Sequence, residues 1–83
     1  MTPRQKKRIA ESAQTLKEAK QLWREFSRKA ETSANRAERL MNAGRNAEAM
    51  AEIKRGRKFV EIAREARGIV DAAVLDFALA IKK

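Results

Sequence analysis

The 83-residue sequence contains no cysteine, no histidine and no tyrosine. The lack of cysteine and histidine excludes disulfides, thiol or imidazole catalysis, and metal sites built from these ligands. Small secreted domains usually carry disulfides, so we expect an intracellular, cytoplasmic protein. Because the serines have no histidine to activate them and no glycine-rich phosphate loop occurs, we predict no enzymatic activity and no cofactor.

Helix-breaking residues are also rare. Proline occurs once, at position 3, and residues 4–43 contain neither proline nor glycine. Good helix formers dominate this stretch, and a turn-forming sequence, Asn42-Ala43-Gly44-Arg45-Asn46, follows it. We therefore predict an all-α fold in which residues 1–83 form a single domain. Helices at about 3–43 and 46–82 would form a long antiparallel hairpin.

Capping residues support these boundaries. Thr2 is placed to cap the first helix, with Pro3 at the first helical position and Gln5 as the reciprocal partner of a capping box. Gly44 suits the left-handed position after a helix, because it has no Cβ to clash with the backbone. Asn46 is the expected N-cap of the second helix.

Apolar and small residues recur with helical heptad spacing, which predicts one packing stripe on each helix. The small residues near the turn predict a close approach of the helices there. A break at 32–33 would instead give a three-helix bundle, since Thr and Ser are poor helix formers. The predicted stripes are Ile9, Ser12, Leu16, Ala19, Trp23, Phe26, Ala30, Ser33, Ala37 and Leu40 in the first helix, and Ala49, Ile53, Gly56, Val60, Ala63, Arg67, Val70, Val74, Phe77 and Ile81 in the second.

Two helices alone make a poor core, so we expect self-association. The second helix has a further apolar edge, formed by Ile62, Ile69, Ala73 and Ala80. This edge predicts a homodimeric four-helix bundle. The three aromatic residues on the stripes are expected in the core, and Phe59 is the one aromatic residue expected to be exposed.

The formal net charge is +9, and it is unevenly distributed. The basic N-terminal arm, residues 1–8, carries +4. Residues 27–58, which we call the turn segment, carry +5 from nine basic and four acidic side chains. Lys20, Arg24 and Arg28 follow one another at a spacing of four, where like charges destabilise an isolated helix. A sequence selected for helix stability alone would alternate the signs.

This charge pattern predicts contact with nucleic-acid phosphates, with weak or no sequence specificity. The alternative is a protein-interaction module, such as a small inhibitor, adaptor or assembly subunit that uses a helical face or binds an acidic protein surface. Attachment to an anionic membrane is least favoured, because Asp71 and Asp76 interrupt the most apolar segment. The candidate phosphate-binding residues are Arg4, Lys6, Lys7, Arg8, Lys20, Arg24, Arg28, Arg36, Arg39, Arg45, Lys54, Arg55, Arg57 and Lys58.

Overall fold

The computed structural model describes residues 1–81, which form two long helices joined by a short turn. Helix α1 comprises Pro3–Asn42 and helix α2 comprises Asn46–Ile81. They pack against each other as an antiparallel rod whose Cα extents are 63 × 13 × 13 Å. The predicted all-α hairpin is confirmed. Lys82, the last residue predicted to be helical, lies outside the described residues.

The alternative of a helix break at 32–33 is wrong, because α1 is continuous through both residues. The Thr32 hydroxyl donates a hydrogen bond to the Arg28 carbonyl one turn earlier, at 3.0 Å. Its polar group is therefore satisfied within the helix. Ser33 is buried against α2, where its small size suits the packing.

The start of α1 has the predicted capping box. The Thr2 hydroxyl accepts a hydrogen bond from the Gln5 backbone N–H at 3.2 Å, and Gln5 Oε1 accepts one from the Thr2 N–H at 3.0 Å. Two backbone donors that have no partner within the helix are thereby satisfied. The basic arm is consequently helical from Pro3 onward.

The turn is a Schellman motif. Gly44 has the left-handed φ of +74° that was predicted for it. The Arg45 N–H donates to the Leu40 carbonyl at 2.8 Å, and the Gly44 N–H donates to the Met41 carbonyl at 3.0 Å. The prediction of Asn46 as N-cap is wrong: Asn46 is the first residue of α2, and Arg45 occupies the cap position.

Small side chains form most of the interface between the helices, which we call the seam. Two serines, Ser12 and Ser33, are buried there, and no large side chain in residues 1–81 is completely buried. Because the side chains are short, the two backbones lie close together and the core is thin. The buried apolar residues are Ala19, Ala37, Ala49, Ala63, Ala66, Val70, Ala73 and Ala80.

Part of the predicted α2 stripe is wrong. The set that begins at Ala49 and repeats every seven residues is buried or half-buried, as expected. The second set lies three residues after the first, not four, and consists of Glu52, Phe59, Ala66, Ala73 and Ala80. Val60, Arg67 and Val74 of the predicted second set are consequently exposed, whereas Ile53 is half-buried as predicted. The side chain of Ile81, the last residue of that set, lies outside what the structure describes. The close approach of the backbones favours alanine over branched side chains at positions 66, 73 and 80.

An ion pair joins the two helices at the end of the hairpin opposite the turn, which we call the open end. The Arg8 guanidinium lies 2.8 Å from Asp76 Oδ1, and the Ser12 hydroxyl donates to Asp76 Oδ2 at 2.5 Å. The hydrogen bond from Arg8, helped by the one from Ser12, holds the pKa of Asp76 below its ordinary value of 3.8, although partial desolvation opposes this shift. Neither helix, as far as the structure describes it, has an apolar stretch long enough to cross a membrane.

Candidate functional site

One side of the hairpin carries a groove of about 590 Å³ between the middle of the rod and the turn, which we call the basic groove. Helix α1 supplies most of its lining, and α2 supplies two residues. The lining is rich in arginines, and these come from both helices. Its residues are Gln21, Arg24, Glu25, Arg28, Lys29, Thr32, Ser33, Arg36, Arg55 and Phe59.

The register of the hairpin explains why these residues meet. The ion pair Arg8–Asp76 shows which residues of the two helices face each other. Lys29 follows Arg8 by three heptads, and Arg55 precedes Asp76 by the same number, so the antiparallel register places Lys29 opposite Arg55. The same geometry brings Arg36 beside them.

Positive charge dominates the basic groove. Five basic side chains line it and only one carboxylate, Glu25, does so. Glu25 is paired with Lys29 at 3.3 Å, and Arg55 is paired with Glu52, also at 3.3 Å. Three arginines in the lining make no ion pair within the described residues; these are Arg24, Arg28 and Arg36.

One aromatic ring, that of Phe59, lines the groove, and a second ring packs against it. Phe26 and Phe59 pack with their ring centroids 5.9 Å apart. The Lys29 ammonium lies over both rings, 4.7 Å from the Phe26 centroid and 5.9 Å from the Phe59 centroid. These contacts and Glu25 hold Lys29 in place. The prediction that Phe59 is exposed is wrong, because Phe59 is half-buried on the seam.

Four of the fourteen predicted phosphate-binding residues line the basic groove: Arg24, Arg28, Arg36 and Arg55. All fourteen are exposed, but the structure does not bring them all together. Three others are in ion pairs: Lys7 with Glu11, Arg8 with Asp76, and Arg45 with Glu48. The remaining seven lie outside the basic groove and are Arg4, Lys6, Lys20, Arg39, Lys54, Arg57 and Lys58.

Sequence reasoning missed Lys29, Gln21 and Thr32 as residues of this groove. Lys29 was not selected because Glu25, one turn before it, neutralises it in a reading of α1 alone. The available signal was the antiparallel register, which places Lys29 beside Arg55. A prediction of contacts between the helices was required, and charge patterns within one helix were insufficient.

The opposite side of the hairpin carries a second groove, of about 420 Å³, which we call the apolar groove. The formal charges of its lining sum to zero, since the lining contains two arginines and two glutamates. Its floor consists of small and branched apolar side chains. The lining residues are Ala30, Ala34, Glu52, Ile53, Gly56, Arg57, Val60, Glu61 and Arg64.

The predicted dimer edge is divided by the structure. Ile62 and Ile69 are exposed, with 37% and 47% of their surface accessible. Ala73 and Ala80 are buried, with 7% accessible in each case, because they belong to the seam with α1. Their placement on a free edge is wrong, and they have little surface to offer to a second molecule.

The protein is therefore a basic two-helix hairpin with an arginine-lined groove. No family model, no curated protein and no solved structure matches this chain. Within residues 1–81, no group of three or more acidic side chains is placed to hold a metal ion.

Proposed function

We propose that this protein binds nucleic-acid phosphates through the basic groove, without catalysis and with weak or no sequence specificity. The observation that carries the proposal is that Arg24, Arg28 and Arg36 line one groove and make no ion pair with a carboxylate among the residues that the structure describes. The net charge of +9 supplies a long-range attraction for the same ligand. A cytoplasmic location is part of this proposal.

Arginine suits phosphate because its planar guanidinium donates two parallel hydrogen bonds to phosphate oxygens. Arg24 and Arg36 are twelve residues apart on α1, a rise of roughly 18 Å. This length corresponds to about five base-pair steps of duplex. The groove is therefore long enough to contact several phosphates of one strand at once.

The shape of the protein favours contact with the backbone over reading of bases. The rod measures 13 Å across its Cα atoms alone, whereas the DNA major groove is about 12 Å wide. The hairpin as a whole is too wide to enter it. Phe59, the aromatic residue in the groove lining, is half-buried, as is Phe26 beside it, so these rings offer little surface for stacking on bases.

The test is a fluorescence-anisotropy titration of labelled duplex DNA and of single-stranded RNA at several salt concentrations. We expect binding to both at low salt, with a log–log slope of roughly −3 to −5 if four to six basic side chains engage phosphates. Two unrelated sequences of equal length should bind within a few-fold of each other. Absence of binding at low salt would refute the proposal.

A matched pair of variants locates the site. Arg28→Glu with Arg36→Glu reverses two charges in the basic groove, and Arg57→Glu with Arg64→Glu makes the same change at the apolar groove. We expect the first variant to weaken binding at least about tenfold more than the second. Equal losses would show that net charge alone governs binding and that the groove has no special role.

A second candidate function, recognition of a partner protein, is favoured by the apolar groove. Ala34, Ile53 and Val60 line a depression whose charged rim is balanced, which suits an apolar side chain of a partner helix. Such binding should survive high salt and be lost in Val60→Glu. Binding that disappears with salt would instead favour the phosphate proposal.

A further inference from the structure

Two of the three glycines have a reason within the hairpin. Gly44 has a positive φ of +74° in the turn, and a Cβ on Gly56 would lie 3.3 Å from the Ser33 Cβ. Gly68 has neither property: it lies inside α2, and a Cβ there would meet no atom of the described residues within 4 Å. Glycine is among the least favourable residues of a helix interior. The hairpin itself therefore gives no account of Gly68.

Gly68 belongs to an apolar stripe on the face of α2 that points away from α1. The stripe continues through Ala72, Leu75 and Leu79, at the spacings of four, seven and eleven that place residues on one helix face. We call it the outer stripe. All four residues are exposed, with 62% of Leu75 and 52% of Leu79 accessible.

We propose that a second copy of this chain packs antiparallel on the outer stripe. In an antiparallel pair about a two-fold axis, the numbers of facing residues have a constant sum. A sum of 147 places Leu79 over the partner's Gly68 and Leu75 over the partner's Ala72. Each large side chain then meets a small residue, and the absent side chain at Gly68 provides the space for a leucine.

The charge distribution favours this arrangement over a parallel one. Residues 59–83 contain four acidic and four basic side chains and are neutral overall, whereas the turn segment carries +5. Antiparallel packing overlaps the neutral segments and leaves the two turn segments at opposite ends of the assembly. Parallel packing would place the turn segments side by side, and it would stack leucine on leucine and leave Gly68 facing Gly68.

The pairing of large and small residues within the outer stripe also favours a second copy of the chain over other partners. A membrane surface would accept any apolar face and would not require glycine at position 68. An unrelated helix would need its own leucine at the matching height. A second copy supplies both members of each large–small pair from the same four residues, and Ile69, exposed beside the stripe, extends the apolar contact.

The dimer has a consequence that rests on the proposed function. The two-fold axis passes near residues 73 and 74, about 16 residues from the level of the basic groove on α2, so the two grooves lie roughly 50 Å apart. One long nucleic acid could then engage both grooves, which would raise its apparent affinity over that of a short one. The dimer itself is tested without nucleic acid, so the two proposals fail independently.

The experiment is sedimentation equilibrium of the full chain, without nucleic acid, over concentrations that reach the millimolar range. We expect a monomer–dimer equilibrium. Leu75→Glu with Leu79→Glu should abolish the dimer, whereas Met50→Glu should leave it unchanged. Met50 is a matched control, because it is an apolar residue of α2 with similar exposure, 55%, outside the stripe. Circular dichroism would verify that all variants remain helical.

Gly68→Leu is the most specific variant. It improves helix propensity and has open space in the monomer, so the hairpin should become more stable. It nevertheless fills the space for the partner's Leu79, and we expect the dimer to weaken about tenfold or more. A chain that stays monomeric at all concentrations, or a dimer that resists Leu75→Glu with Leu79→Glu or Gly68→Leu, would overturn the proposal.

Discussion

The basic groove and the apolar groove lie on opposite sides of the same two helices, at nearly the same height of the rod. The first has five basic side chains and one carboxylate, and the second has two arginines balanced by two glutamates. The backbone that forms the two grooves is shared. The residues that flank the seam therefore decide what each groove can bind.

The comparison teaches how a small chain separates two surfaces. A seam of alanine and serine brings the helices close together, and the flanking residues on each side then determine the chemistry of that side. On one side the flanking positions hold Lys29, Arg36 and Arg55, whereas on the other they hold Ala34, Ile53 and Val60. Each of the following variants alters one side of the hairpin or the seam between the two sides.

The largest effect is expected from Gly56→Leu, which should damage both grooves. Gly56 lines the apolar groove and faces Ser33, which lines the basic groove. A leucine there has to push α1 away, which should lower the free energy of unfolding by about 1–3 kcal/mol. Urea denaturation measures the loss. Gly56→Ala should be nearly neutral, because better helix propensity offsets a tight 3.3 Å contact. Equal stability of the leucine variant would contradict the close seam.

A transfer of charge between the grooves should transfer binding. Arg28→Ala with Arg36→Ala should weaken nucleic-acid binding about tenfold. Adding Ala34→Arg and Val60→Arg in the apolar groove restores the net charge and should recover most of the affinity, because the added guanidinium groups would line a groove at nearly the same height of the rod. Fluorescence anisotropy measures each step.

The control for this transfer adds the same two arginines at Ala10 and Ala13, exposed residues far from both grooves. Little recovery is expected there. If the control recovers affinity as well as the transfer does, the protein responds only to its total charge, and the distinction between the grooves has no functional meaning.

Glu52→Leu should stabilise the hairpin and strengthen nucleic-acid binding. Glu52 lies on the seam with 14% of its side chain accessible, and its Oε2 has no hydrogen-bond partner in the described part of the chain. Replacing this poorly satisfied carboxylate should add about 1 kcal/mol of stability and leave Arg55 free for phosphate. Glu38→Leu removes the same charge from an exposed position and should add no stability. Thermal unfolding compares the two, and a fall in melting temperature for Glu52→Leu would show that its pair with Arg55 matters more than its burial.

The smallest effect is expected from Asp76→Asn at the open end. Because the folded-state pKa of Asp76 is lowered, its pairing with Arg8 contributes stability above the ordinary value of 3.8, and this contribution is lost as the pH falls through the folded-state pKa. Both side chains are about half exposed, so solvent weakens the effect. The variant should lose less stability than the wild-type chain between pH 5 and the acid limit. Parallel pH profiles of the two proteins would contradict this role.

Much of the fold was predictable from local signals. The capping box at Thr2, the left-handed Gly44 and the seven-residue spacing of α1 each have one structural interpretation, and the structure agrees with them. The seam of α2 was only half predictable. Apolar residues occur on several sides of this helix, and the choice between Val60 and Phe59 depends on how closely α1 approaches. That distance is a property of both helices together.

The candidate site was predictable in composition but not in arrangement. Basic residues of the turn segment were identified, yet Arg57 lies at the opposite groove and Lys29 was missed. A charge count within one helix does not reveal which side of the seam a residue occupies. Once the pair Arg8–Asp76 gives the register, counting heptads places Lys29 and Arg55 together.

The most direct test is an NMR titration of the ¹⁵N-labelled protein with a short DNA duplex, in which backbone amide shifts are assigned to residues. The phosphate proposal predicts the largest shifts at the residues of α1 that line the basic groove, such as Arg28, Thr32 and Arg36, with small shifts at Val60, Glu61 and Arg64 of the apolar groove. No shifts at low salt, or shifts that are largest at the apolar groove, would contradict it.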